Sequence, residues 1–148
     1  MNFTVETIAQ SLADYLAPAF PGVAFYEDPN QQGTKTPCLF VQQRYSNLKK
    51  EVGGYWMRYI GLDLTYLVDY NLPNMQQLYQ KAAEQLDILL DTFTYSDGEE
   101  THRIRAYERE WRIDLDALHY KFELRERVSL PQEFAKMQEI EEYDEVVT

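Results

Sequence analysis

Residues 55 to 70 read YWMRYIGLDLTYLVDY, and the fold turns on this stretch. From Ile60 onward the even positions Ile60, Leu62, Leu64, Tyr66, Val68 and Tyr70 are apolar or aromatic. Gly61, Asp63, Thr65 and Asp69 alternate with them, and Leu67 is the exception. A period of two predicts a strand with one buried face. In a helix, Ile60, Leu62 and Leu64 would point in different directions. At about 3.3 Å per residue the segment would span about 50 Å, so its first part is expected to project as a hairpin arm.

Working outward, Pro37 opens a second strand, Cys38 to Tyr45, whose first four residues are continuously apolar. Such a run predicts burial on both faces, with Cys38 an inert core residue rather than a nucleophile. Ser46 to Gly54 (SNLKKEVGG) is expected to be a polar loop closing a long hairpin onto the central strand. Upstream, Val23 to Tyr26 is a short strand candidate, and residues 27–36 (EDPNQQGTKT) are turn chemistry. Val5, Ile8, Ala9, Leu12, Tyr15 and Leu16 form an apolar stripe that predicts a helix over 4–17, capped by Thr4 and ended by Pro18.

Downstream, Asn74 and Gln77 have the spacing of a capping box. The helix they open runs through Leu78, Ala82, Leu86, Leu89 and Phe93, and Tyr95-Ser96-Asp97-Gly98 is expected to close it. Two alternating strands follow, His102 to Leu115 and Leu118 to Val128, joined at Asp116-Ala117. On the first, Tyr107, Arg109, Trp111 and Ile113 are placed on one face and Glu108, Glu110, Arg112 and Asp114 on the other. The order α-β-β-β-α-β-β predicts an α+β fold, an antiparallel or mixed sheet of about five strands with two helices on one face. Residues 1–130 then form a single domain and 131–148 an acidic C-terminal extension.

A chain of 148 residues with 14 Lys and Arg against 25 Asp and Glu carries a net charge of −11, which gives it no general attraction for nucleic-acid phosphates or anionic lipid. Arg103, Arg105, Arg109 and Arg112 cluster near Tyr107 and Trp111, but acidic residues interleave with them. One Cys forms no intramolecular disulfide. The start MNFTVETIAQ lacks the basic and apolar regions of a signal peptide, and no window approaches the ~18 apolar residues of a membrane span. These features point to a cytoplasmic protein. The 12 Tyr are the compositional oddity, a residue suited to half-buried strands and contact surfaces.

Chemistry is sparse. The two histidines, His102 and His119, are read as exposed turn and hairpin residues, away from any nucleophile pattern. No Cys or His spacing marks a metal site, and the six glycines are scattered rather than gathered into a phosphate loop. No catalytic residue, cofactor or metal ligand is assigned.

The succession of an N-terminal helix, Gln32-Gly33, Pro37-Cys38-Leu39-Phe40-Val41, Tyr66, Asp69-Tyr70, Leu86 to Leu90 and Asp116-Ala117-Leu118-His119-Tyr120-Lys121-Phe122 resembles the phage tail terminator family. The resemblance covers residues 4 to 128. It implies a non-enzymatic virion protein, assembled in the host bacterial cytoplasm, that forms a ring, typically a hexamer, on the head-proximal end of the tail tube. There it would stop tube polymerisation and offer a docking surface to the head-completion or neck protein, with DNA passing through the lumen. Another neck protein, a tail assembly adaptor or a small enzyme are the alternatives. Lys49 and Lys50, two cations in an acidic chain, are expected to meet the tube. In the tail, six acids against Lys136 predict disorder in isolation, whereas Phe134, Met137, Ile140 and Tyr143 recur every three residues and are expected to dock on a neighbouring subunit or neck partner.

Overall fold

Helix α1 (Val5–Leu16) begins where Thr4 accepts a hydrogen bond from the Thr7 amide and the Thr7 hydroxyl accepts one from the Thr4 amide. A 3-10 turn over Ala17–Ala19, with Pro18 in it, ends the helix. The structure, a computed structural model, describes residues 3–26, 35–69, 71–114 and 116–129. Strand β1 (Ala24–Tyr26), β2 (Cys38–Lys50) and β3 (Trp56–Leu67) follow, then α2 (Met75–Leu89) and strands β4 (Thr92–Ser96), β5 (Thr101–Asp114) and β6 (Ala117–Val128). The sheet order is β1-β2-β3-β6-β5-β4, with β1 parallel to β2 and every other pairing antiparallel. The fold is the expected α+β arrangement with one strand more, a mixed sheet curled into a half-barrel.

The sheet's inner face is the core. Leu39, Val41, Ile60, Leu62, Leu64, Tyr120, Phe122 and Leu124 are buried there against Ile8, Leu12 and Leu16 of α1 and Tyr79, Ala83 and Leu86 of α2. Each such aliphatic side chain contributes about 1.5–3 kcal/mol by leaving water. The even positions of β3 thus face inward, as its alternation requires. Polar ties fix the layers. Fully buried Tyr79 accepts from the Val68 amide at 3.1 Å and donates to the Asp116 carbonyl at 2.6 Å, fastening α2 to β3 and to the β5–β6 turn. Ser11 of α1 donates to the Ser96 carbonyl at 2.7 Å and accepts from the Ser96 amide at 2.9 Å, which satisfies β4 backbone groups that β5 leaves unpaired.

Four expectations are corrected. Ser46 to Lys50 is strand rather than loop, because each residue has a register partner on β3 as far as Lys50↔Trp56; the tip is only residues 51–55. Phe93 and Tyr95 belong to β4 rather than to a helix and its turn. Both are fully buried, alternating with Thr92, Thr94 and Ser96, and tertiary burial wins over the helical spacing that links Phe93 to Leu89. Asn74 makes no side-chain cap bond. In β5 a bulge between Tyr107 and Glu110 sets two residues, Glu108 and Arg109, against one on β6; Glu108 has a φ of 54°. The extra residue switches the inward set from Ile104 and Ala106 to Trp111 and Ile113, so Tyr107 does not share a face with Trp111. Tyr70 and Leu115 lie outside the described residues.

A similar bulge in β2 leaves Arg44 unpaired between Gln43↔Leu62 and Tyr45↔Gly61, which turns Tyr45 onto the outer face. Its ring lies over Gly61 so closely that a Cβ there would fall 2.2 Å from a ring carbon. Gly61→Val should displace Tyr45 and destabilise the protein by about 1–3 kcal/mol. In the Tyr45→Ala background the same change should cost much less. Denaturant melts of the four proteins check this, and equal costs in both backgrounds would count against it.

Candidate interaction surface

The outer face of β2, β3 and β6 is not the solvated surface that its polar residues suggest. Asp63 is 8% and Thr65 2% exposed, because side chains of the flanking strands close over them. His119 is likewise no free hairpin residue: its side chain is 25% exposed, and its Nδ1 lies 3.0 Å from an Asp63 oxygen. The Thr65 hydroxyl donates to Asp63 at 3.1 Å and meets the same His119 nitrogen at 3.3 Å. A hydrolytic relay needs acid and nucleophile on opposite ring nitrogens. Here both stand at Nδ1, while Nε2 lies 3.8 Å from Asp114, so the cluster is a polar clasp between β3 and β6. His102 is exposed and lies 3.3 Å from Glu100. Among the described residues no group of three or more His, Cys, Asp or Glu is placed to hold a metal ion. Burial pushes the Cys38 thiol up, in keeping with a core residue.

Further along the same strands the outer face becomes a cation–aromatic stack. The Tyr45 hydroxyl donates to the Glu123 carboxylate, which also accepts from Arg125 at 2.5 Å. The Arg125 guanidinium lies 4.2 Å from the Tyr107 ring centre and 5.8 Å from that of Tyr59. Lys49 lies 5.0 Å from the centre of the same Tyr59 ring, whose hydroxyl donates to Glu51 at 2.9 Å. Arg127 is 4.5 Å from the Tyr55 ring centre and Arg44 5.6 Å from that of Tyr45, while on the other face of the hairpin Lys50 lies 6.0 Å from the Trp56 ring centre. Several of the abundant Tyr therefore back cations rather than fill the core. The hydrogen bond to Glu51 is the largest influence raising the Tyr59 phenol above its ordinary value. Burial, then the bond to Glu123, raises Tyr45.

Lys49 and Lys50 thus flank the hairpin on strand β2 instead of crowning its tip, whose one charge is Glu51. Phe134, Met137, Ile140 and Tyr143 lie outside the described residues. Sequence reading passed over Tyr45, Tyr59, Arg125 and Arg127 as members of one surface. Their alternation was visible, but the register that stacks them was not.

The profile of a family described as phage tail terminator protein matches residues 7–136. The chain belongs to the phage tail terminator family. The match runs from the first turn of α1 through β6, so the hairpin and the outer stack lie within it. Membership makes the protein a structural component of a phage tail. No curated protein matches the terminator's sequence. Among the solved structures that match, one shares 14% identity over 88% of this chain and all of the other, with a TM-score of 0.36. Among the described residues no helix of the terminator is long and apolar enough to cross a membrane.

The stack carries a pH signature. Burial pushes Glu123 up, but hydrogen bonds from Tyr45 and Arg125 and the charges of Arg125 and Lys49 outweigh it, leaving the carboxyl below its ordinary 4.5. A lowered folded-state value stabilises the fold above the unfolded value, and that stability is lost as pH falls through the folded one. The stability gap between wild type and Glu123→Gln should be full at neutral pH and shrink below about pH 4.5. Urea midpoints at pH 7 and pH 3 measure it, and a gap that widens in acid would contradict the assignment.

Proposed function

We propose that this terminator forms a closed ring, of six subunits, on the head-proximal end of the tail tube. The ring stops tube polymerisation and presents its other side to a head-completion or neck protein. It works as a fitted part of the virion with no reaction to catalyse and no cofactor, and it is assembled in the host cytoplasm. The observation that carries this reading is the family match over residues 7–136. The net charge of −11 supports it, since a lumen that lets DNA pass should not hold phosphates, and it disfavours a membrane role. Lys49 and Lys50, exposed on β2, are proposed interface residues that meet an acidic surface. Phe134, Met137, Ile140 and Tyr143 are proposed contacts of the C-terminal segment with a neighbouring subunit or the neck.

Electron microscopy and light scattering of the protein with tail tubes of its phage test the ring. Closed rings at one tube end and tubes of uniform length are expected. Single subunits in the presence of tubes would refute the reading.

Deleting residues 132–148 should leave the melting temperature nearly unchanged and weaken ring or head attachment. Unfolding of the truncated protein would assign the segment to the subunit's own core, and normal particles would show that its apolar spacing has no such role.

A further inference from the structure

The charges of this chain are divided between two parts of the molecule. The arm formed by residues 44–61 of the β2–β3 hairpin and 123–128 of β6 carries Arg44, Lys49, Lys50, Arg58, Arg125 and Arg127 against Glu51, Glu123 and Glu126. It therefore holds six of the 14 basic residues and three of the 25 acidic ones, a net positive limb on a strongly negative body. Arg125 is paired with Glu123 at 2.5 Å. The other five have no carboxylate within ion-pair distance among the described residues. Arg44, Lys49, Lys50 and Arg127 lie instead over aromatic rings and are exposed.

A complementary surface lies between α1 and the end of β4. Among the described residues this groove is lined by Glu6, Gln10, Asp14, Ser96, Asp97 and Gly98 with no base, and Asp97 accepts bonds from the Glu99 and Glu100 amides. Helix α1 itself contains no Lys or Arg, and Glu6 and Asp14 are exposed along it. Arm and groove are built from different elements, the arm from β2, β3 and β6 and the groove from α1 and the end of β4. Contact between them in two copies joins unlike surfaces, the heterologous arrangement that closes into a ring when the rotation allows.

We infer that the cationic arm of one subunit docks into the acidic α1–β4 groove of a second copy, and that this contact sets the head-to-tail polarity of self-association. The inference rests on the ring reading and names its interface. Lysines on β2 have a blander use, since beyond Phe40 no described strand pairs with its outer edge, and charged side chains deter stray strand addition there. Edge protection works with either sign of charge and needs no acidic groove, whereas docking fails on reversal of sign.

The test uses full-length protein with Lys49→Glu/Lys50→Glu/Arg127→Glu on the arm and Glu6→Lys/Asp14→Lys on the groove, with Glu6→Gln/Asp14→Asn as a milder groove variant. All are surface changes, and unchanged circular dichroism and melting check the folds. Sedimentation velocity should show wild-type self-association that weakens steeply with added salt. Each reversed variant alone should associate at least about tenfold more weakly. An equimolar mixture of arm-reversed and groove-reversed proteins should recover association, because reversed arms fit reversed grooves and native arms fit native ones in alternation. Variants that associate as wild type does, or a mixture that fails to recover, overturn this interface while leaving the ring standing. Arm-reversed protein that forms normal rings but no longer binds tubes assigns the arm to the tube and also overturns it. Wild-type protein that stays single at every concentration and on tubes overturns the ring and the interface together.

Discussion

Strand β3 is hydrogen-bonded to β2 on one side and to β6 on the other for nearly its whole length, and both of its faces are spent. The inner face holds Ile60, Leu62 and Leu64 in the core, and the outer face packs Gly61, Asp63 and Thr65 beneath neighbouring side chains. A polar pair buried in this way costs free energy unless its bonding is complete. Here Thr65 bonds Asp63, and His119 reaches across from β6 to both. The flanking strands are thereby held in register by side chains as well as by backbone, and the helices have one fixed surface on which to pack.

Two bulges then decide what that frame displays. The one at Arg44 turns Tyr45 from the inner set onto the outer face, where the absent side chain of Gly61 leaves room for its ring. The one at Glu108 and Arg109 keeps Tyr107 outward while returning Trp111 and Ile113 to the core side. It also places the Arg109 guanidinium on the Asp87 carbonyl and 3.6 Å from Asp91, so the kink in β5 is anchored to the end of α2. Tyr120, buried beneath, bonds the Asp87 carboxylate, and burial followed by that bond holds its phenol far above the ordinary range. One inserted residue per strand thus re-aims a whole row of side chains.

The outcome suits a structural component of a phage tail. Cations resting on aromatic rings keep part of their charge available to a partner while losing less side-chain freedom on binding than free lysines would. Glu123 and Arg125 brace the base of the arm, and Arg125, set between Tyr107 and Tyr59, links β5 to β3 through β6. The limb is thus stiffened internally and charged externally.

The sequence by itself determined the strand at Ile60 to Leu67, the Thr4 cap, both amphipathic helices, the β5–β6 hairpin and the α+β class. The cap follows from a hydroxyl beside unpaired helix amides, and the others from which face a local segment must bury, which a period of 2 or 3.6 records directly. Its succession of short motifs also pointed to the phage tail terminator family, to which the profile match assigns the chain. It placed Lys49 and Lys50 among the candidate contact residues but gave them a loop. Only the tertiary structure decided that they lie on a strand, that β4 exists and that Asp63, Thr65 and His119 form one clasp. The same holds for the stack of Tyr45, Tyr59, Tyr107, Arg125 and Arg127. These depend on register between residues separated by up to 78 positions, as Tyr45 and Glu123 are. Register of that kind is set by bulges and by packing against the shared core, neither of which leaves a periodic trace in the chain.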